Sequence, residues 1–182
     1  MKASRTLSRR YSQVTNPWRP DTVVRSVLLG SVNERFSAAY QAFMSQNQDW
    51  VWHPGSVSPE RVLEIMQQSG IVVLPSRTET FGRVLVEAQL CGCAVIGMRV
   101  GGMPEIVEDG ITGLLVQPDD SQALARAIGR LCESSELRST LAAAGRARSQ
   151  ETYGMDSVME NLSSTYKAII QGMPLGFTPR TA

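Results

Sequence analysis

The stretch Gly70-Ile71-Val72-Val73-Leu74-Pro75-Ser76-Arg77-Thr78-Glu79-Thr80-Phe81-Gly82-Arg83-Val84-Leu85-Val86-Glu87-Ala88 decides the fold. Its short aliphatic run between Gly70 and Pro75 predicts a buried strand. A helix is predicted from about Gly82 to Leu90, so a strand passes through one polar loop into a helix. That is the first half of a βαβ unit. Sheets built this way bind ligands in the crevice outside the carboxyl ends of their strands, which draws attention to the loop from Pro75 to Gly82.

The same alternation extends in both directions. Val23 to Leu29 predicts a buried strand closed by Gly30, and Asn33 is a candidate cap for a helix carrying Phe36, Ala39, Tyr40 and Phe43 on one face. Trp50, Val51 and Trp52 predict a second strand, ended by His53-Pro54-Gly55. Ser58-Pro59 opens a helix with Val62, Leu63 and Met66 inward, and Gly70 ends it. Downstream come a strand at Ala94 to Ile96, a Gly-rich loop and a strand at Leu114 to Val116. A helix then starts at Asp119 or Asp120 and bears Leu124, Ala127, Ile128 and Leu131. Two more helices are predicted near 135–148 and 155–171. Short strands alternating with longer helices imply right-handed βαβ units. The predicted fold class is α/β, a single Rossmann-like domain with a parallel sheet flanked by helices.

Composition sets the outer bounds. At 182 residues the chain suits one domain, with 42% hydrophobic and 19% charged residues, an ordinary globular balance. A formal net charge of +1 gives no global field for nucleic acid or a membrane surface. No apolar run approaches the roughly 18 residues of a membrane span. Cys91, Cys93 and Cys132 are an odd number, and with His53 as the single histidine a zinc site is not expected. Free thiols point to a reducing, cytoplasmic setting.

Residues 1–22 stand apart. They hold Lys2, Arg5, Arg9, Arg10 and Arg19, with Asp21 the only acid, and read as a poorly ordered basic arm. A presequence and an arm for an acidic membrane surface are the other readings, so membrane contact is at most peripheral. The domain proper is expected over 23–172, with a tail at 173–182.

Several familiar motifs are absent. No G-x-G-x-x-G occurs, and Gly92 to Gly97 has P-loop spacing with Met98-Arg99 where Lys-Ser/Thr belongs. One histidine supplies no serine triad from local features. No aromatic-studded basic face suggests single-stranded nucleic acid.

The informative loop offers two readings. The first amides of the helix point into the crevice, Gly82 lets a phosphate approach the backbone, and Arg77 and Arg83 can add charge-assisted contacts. Glu79 and Glu87 would be about 12 Å apart along a helix, too far for a retaining glycosidase pair. That spacing suits two clamps on one elongated ligand with an anionic middle, such as a nucleotide-sugar. The other reading is structural: Glu79 pairs with Ser76 in a capping box, and Glu87 pairs with Arg83 one turn back.

The run Leu74-Pro75-Ser76-Arg77, Glu79-Thr80-Phe81-Gly82 and Glu87-Ala88, followed by Cys91-Gly92, Gly101-Gly102-Met103-Pro104-Glu105 and Asp109-Gly110-Ile111-Thr112-Gly113, resembles the carboxyl-terminal half of family 4 retaining glycosyltransferases. The resemblance covers roughly Val27 to Tyr166. It implies a GT-B fold, in which two Rossmann-like domains face each other across a cleft and the carboxyl-terminal one binds a sugar nucleotide. The donor would be a UDP- or GDP-sugar, with no further cofactor and no metal. Matched to the family's E-x7-E pair, Glu79 would face the donor sugar as the catalytic-site carboxylate and Glu87 the ribose. Amides near Phe81, Gly82 and Arg83 would face the diphosphate, with Arg77 nearby. Pro54, Gly55, Ser56 and Val57 would line the base. From the residues alone, Pro54-Gly55 also reads as a turn only, and Gly101, Gly102, Gly110 and Gly113 read first as structural glycines that permit positive φ.

The chain departs from that family in two ways. The family's amino-terminal, acceptor-holding half has no counterpart here. Its G-R-x4-K element, which neutralises the leaving diphosphate, also lacks a match, since no Lys lies between Lys2 and Lys167. Transfer in this family is described as front-face substitution without an obligatory protein nucleophile. The chain is therefore expected to be a donor-binding half of a hexosyltransferase, completed by a separate acceptor-domain chain. The alternative is a truncated, non-catalytic nucleotide-binding or interaction module, with apolar surface around Met155, Val158 and Tyr166 favouring homo-oligomers.

Overall fold

A computed structural model describes residues 26–32 and 34–171. The basic arm, the tail and the expected cap Asn33 lie outside the described residues. Strand β1 (Ser26–Leu29) leads through a short 3-10 turn at Glu34–Phe36 into α1 (Ser37–Asn47), then β2 (Val51–Gly55) and α2 (Pro59–Gln67). β3 (Ile71–Leu74) is followed by α3 (Arg83–Leu90), β4 (Ala94–Met98), the short α4 (Met103–Ile106) and β5 (Leu114–Val116). Three helices complete the described chain: α5 (Ser121–Glu133), α6 (Ser135–Tyr153) and α7 (Met155–Ile170).

All strand pairs are parallel. β1 pairs with β2, with a register shift between Val27 and Leu29, and β3, β4 and β5 form a three-stranded sheet in that order. Ile71 lies opposite Ala94, and Met98 opposite Val116. The result is a single α/β domain with parallel sheets flanked by helices, as the alternation predicts. Within each sheet the parallel strands end at one edge, so the loops after Leu29 and Gly55 neighbour each other in one sheet and those after Leu74 and Met98 in the other.

The core is centred on β4. Ala94, Val95 and Ile96 are fully buried, packed with Leu85 and Ala88 of α3, Met103 and Ile106 of α4, Leu131 of α5 and Leu141 of α6. This cluster draws on residues from Val62 to Tyr153 and takes none from β1 or α1. Start signals act as expected: Ser58 Oγ caps α2 by accepting from Arg61 N–H, and Asp120 caps α5 by accepting from Ala123 N–H.

Four expectations need correction. β1 is not a buried strand, since Val27, Leu28 and Leu29 are 36, 39 and 40% exposed. Among the described residues β2 is the only strand paired with it. β2 does not stop at Trp52 but continues through Pro54 to Gly55. Among the described residues β2 pairs only with β1, so an edge tolerates the missing proline N–H. The Gly-rich stretch is not all loop, because Pro104 in the first turn supports the one-turn α4. α6 runs past 148 to Tyr153, and Gly145 within it makes a close contact: a Cβ there would lie 2.8 Å from the Thr112 carbonyl.

Candidate functional site

The loop from Pro75 to Gly82 leaves β3 at its carboxyl end and enters α3 through Gly82, whose φ of +93° only glycine adopts without strain. Gly82 is buried over Met103 and Ile106, and its carbonyl accepts from Leu85 N–H at 2.8 Å. A β-carbon at Gly82 would meet Met103 Cγ at 3.3 Å. The α3 amino terminus is therefore set by α4, an element the sequence reading did not foresee.

The loop's backbone rests on the Gly101-Gly102 turn after β4. Gly102 N–H donates to the Thr80 carbonyl at 3.1 Å. A Cβ on Gly101 would lie 1.5 Å from the Glu79 carbonyl oxygen, and one on Gly102 would lie 2.8 Å from that of Thr80. These glycines allow one loop to lie flat on the other, which fixes the path of Glu79, Thr80 and Phe81. Phe81, exposed at the crevice, meets Tyr153 of α6 edge-on, with centroids 5.7 Å apart and planes at 87°.

Glu79 is not helical. It precedes α3, so the 12 Å helical separation from Glu87 expected above does not apply, and no Ser76 capping box forms. Its carboxylate instead accepts from Thr80 N–H at 3.1 Å, and the side chain is half-buried. Glu87 is on α3, and its carboxylate lies 3.1 Å from Arg83 Nε, as the structural reading of that pair expects. The Arg83 side chain is 83% exposed and the Glu87 side chain 33%. Arg77 forms an ion pair with Asp119 at 2.6 Å, across from the loop after β5, where Asp119 has a φ of +62°.

Pro54 and Gly55 end β2, and Ser56 and Val57 follow in the loop. Gly55 has a φ of +77°, and its carbonyl accepts from Gly30 N–H at 3.3 Å. This group is held to β1, whereas Glu79 to Gly82 are held to the turn after β4. His53, which the sequence reading did not place in a site, bonds to the Tyr40 hydroxyl and to the Gly30 carbonyl beside this group. The only sequence signal for it was the lone histidine at the end of a strand. Among the described residues no cluster of three or more His, Cys, Asp or Glu could hold a metal ion. No helix among them is long and apolar enough to cross a membrane.

A parallel α/β sheet with ordered, glycine-seated loops at its carboxyl edge is the architecture of a Rossmann-like half of a GT-B fold. The family of glycosyl transferases group 1 matches residues 13–148, and the chain belongs to it. That match reaches into residues 13–22, which the sequence reading set apart as part of a basic arm. The D-inositol 3-phosphate glycosyltransferase of Streptomyces griseus is 37% identical over 119 residues, 65% of this chain and 25% of that protein. The chain thus spans about a quarter of the length of the curated relatives it matches. Among solved structures, Anabaena Alr3699/HepE in complex with UDP-glucose aligns with a TM-score of 0.67 at 26% identity, over 80% of this chain and 41% of that one. The carboxyl-terminal domain of the Francisella tularensis group 1 glycosyl transferase LpcC aligns with a TM-score of 0.65 over 80% of this chain and 93% of that domain. At 21% identity this last likeness concerns the fold alone.

Proposed function

We propose that this chain is the donor-binding half of a retaining hexosyltransferase that uses a nucleoside-diphosphate sugar, a UDP-sugar in the first instance. Glu79 faces the donor sugar, and Glu87 holds the ribose diol once the ribose hydroxyls compete with Arg83 for its carboxylate. The amides around Phe81, Gly82 and Arg83 receive the diphosphate at the positive end of α3, with Arg83 and Arg77 as flanking cations. Pro54 to Val57 line the base.

The observation that carries this reading is the seating of Glu79 to Gly82 on Gly101-Gly102, which presents a carboxylate and a helix start in one fixed loop. Preorganised donors of this kind stabilise a departing diphosphate without reorganising during the reaction. The 26% identity to a structure solved with UDP-glucose favours that donor. Transfer then requires an acceptor-bearing domain across the cleft, and the chain alone turns over little or no donor.

Calorimetric titration with UDP and GDP tests the reading. Micromolar binding of one of them, weakened tenfold or more in Glu87→Ala, is expected. Absence of heat from the folded protein with either nucleotide contradicts it. A second reading, a non-catalytic nucleotide-binding or interaction module, draws on α7, whose Met155, Val158, Leu162 and Tyr166 are exposed. Nucleotide binding together with turnover in the presence of an acceptor-domain chain separates the two.

A further inference from the structure

His53 projects from β2 beside the proposed base-lining segment, and its two ring nitrogens have separate partners. Nε2 lies 2.8 Å from the Gly30 carbonyl oxygen, and Nδ1 lies 2.5 Å from the Tyr40 hydroxyl of α1. A carbonyl oxygen only accepts, so Nε2 carries the proton, and Nδ1 of the neutral ring accepts from the Tyr40 hydroxyl. The two partners together fix the tautomer and the orientation of the ring. The rings also meet edge-on, with centroids 5.1 Å apart.

Gly30 is thereby held at both backbone polar groups. Its N–H donates to the Gly55 carbonyl at 3.3 Å, while its carbonyl accepts from His53 Nε2–H. Gly30 and Gly55 both have positive φ, +119° and +77°, and nothing crowds either within 4 Å of where a Cβ would stand. Packing therefore does not fix these turns as it does Gly101 and Gly102. No residue of α1 is buried, and the aliphatic core takes nothing from β1 or α1. Around Gly30 these polar contacts act alongside the edge-on ring contacts of Tyr40 with His53 and of Phe43 with Trp50.

We propose that His53 is a positioning residue for the nucleotide: its Nε2–H holds the turn after β1 against Gly55, and this sets the shape of the surface that the base meets. Tyr40 acts one step further back, keeping the imidazole in the Nε2–H tautomer. The proposal rests on the donor-site reading above and adds to it a residue outside the loop that carries the two glutamates.

The test is calorimetric titration of the full chain with UDP and GDP, with thermal unfolding of each variant recorded alongside. His53→Leu removes the donor and is expected to weaken the preferred nucleotide fivefold or more. His53→Gln places an amide nitrogen close to where Nε2 stood and is expected to bind within about twofold of the wild type. Tyr40→Phe keeps the ring contact, releases Nδ1 and is expected to fall between them. A histidine with only a structural role would lower the unfolding temperature without separating the affinities of His53→Leu and His53→Gln.

Wild-type affinity in His53→Leu, or equal losses in His53→Leu and His53→Gln, overturns the proposal. If His53→Leu does not fold, wild-type affinity in Tyr40→Phe overturns it as well. A wild-type chain that binds neither nucleotide defeats the donor-site reading and this proposal together, whereas nucleotide binding that ignores His53 defeats this one alone.

Discussion

Gly101 approaches Glu79 so closely that a β-carbon on it would lie 1.5 Å from the Glu79 carbonyl oxygen. The two residues belong to loops that leave neighbouring parallel strands, and Gly102 fastens the contact by donating its N–H to the Thr80 carbonyl. The glycines in Gly101-Gly102-Met103-Pro104 are thus required by backbone proximity as well as by the positive φ of Gly101. The location of the Glu79 carboxylate depends on a turn about twenty residues downstream of it.

Gly101→Ala should consequently force the two loops apart. The loss is expected to be about 2–5 kcal/mol in denaturant unfolding, the range of strained, overpacked substitutions. Nucleotide binding should fall with it at temperatures where the variant remains folded. Near-wild-type stability would contradict the contact.

Arg83 and Glu87 separate stability from function. Their side chains form an i,i+4 pair that is mostly open to water on the arginine side, so Arg83→Ala should cost under about 1 kcal/mol in unfolding free energy. Glu87→Ala should be equally mild for stability yet weaken nucleotide binding tenfold or more. Equal, small effects on both properties would leave the pair with a surface role only.

The buried amide of Gln89 links three elements. Its Nε2 donates to the Thr112 carbonyl at 2.9 Å, and its Oε1 accepts from Ser149 Oγ at 2.6 Å, in a fully buried setting. Gln89→Leu would leave a carbonyl and a hydroxyl without partners. A loss of about 2–4 kcal/mol is expected in equilibrium unfolding. Ser149→Ala leaves one acceptor unpaired and should cost less.

Cys93 gives a pH dependence of definite sign. Burial pushes its thiol from the ordinary 9.0 up to about 11, and the sulfur also donates to the Met66 and Ser69 carbonyls. The folded state therefore holds this proton more tightly than the unfolded chain does. The associated stability is fully present below pH 9 and is lost as pH rises towards 11. Unfolding midpoints across that window should show the decline, and Cys93→Ala should lessen it. In the native protein at pH 8, Cys93 should resist alkylation until the chain unfolds.

What the sequence makes legible follows the range of the interactions involved. β3 was readable at Ile71–Leu74 because an aliphatic run between Gly70 and Pro75 is a local signal. A cap at Asp119 or Asp120 was readable, and the structure settles on Asp120, whose partner is three residues away. The exposure of β1 was not readable, since an apolar run does not say what lies beside it. α4 is too short to show a helical period. Arg77 meets Asp119 across 42 positions, a pairing no local pattern contains. Within the candidate site, the loop, its residue types and the helix start after Glu79 were legible, while the seating of that loop on Gly101-Gly102 was not. The Tyr40–His53–Gly30 linkage joins three elements and becomes visible only in the folded chain.

The most direct test of the donor-site assignment is an amide NMR titration of the isotopically labelled full chain with UDP, repeated with GDP. The account predicts saturable shifts for one nucleotide, largest at Phe81, Gly82 and Arg83 and at Gly55 to Val57. Glu87→Ala should move the half-saturation point tenfold or more. Amides at these positions that stay unchanged at millimolar concentrations of both nucleotides, in a folded protein, would contradict it.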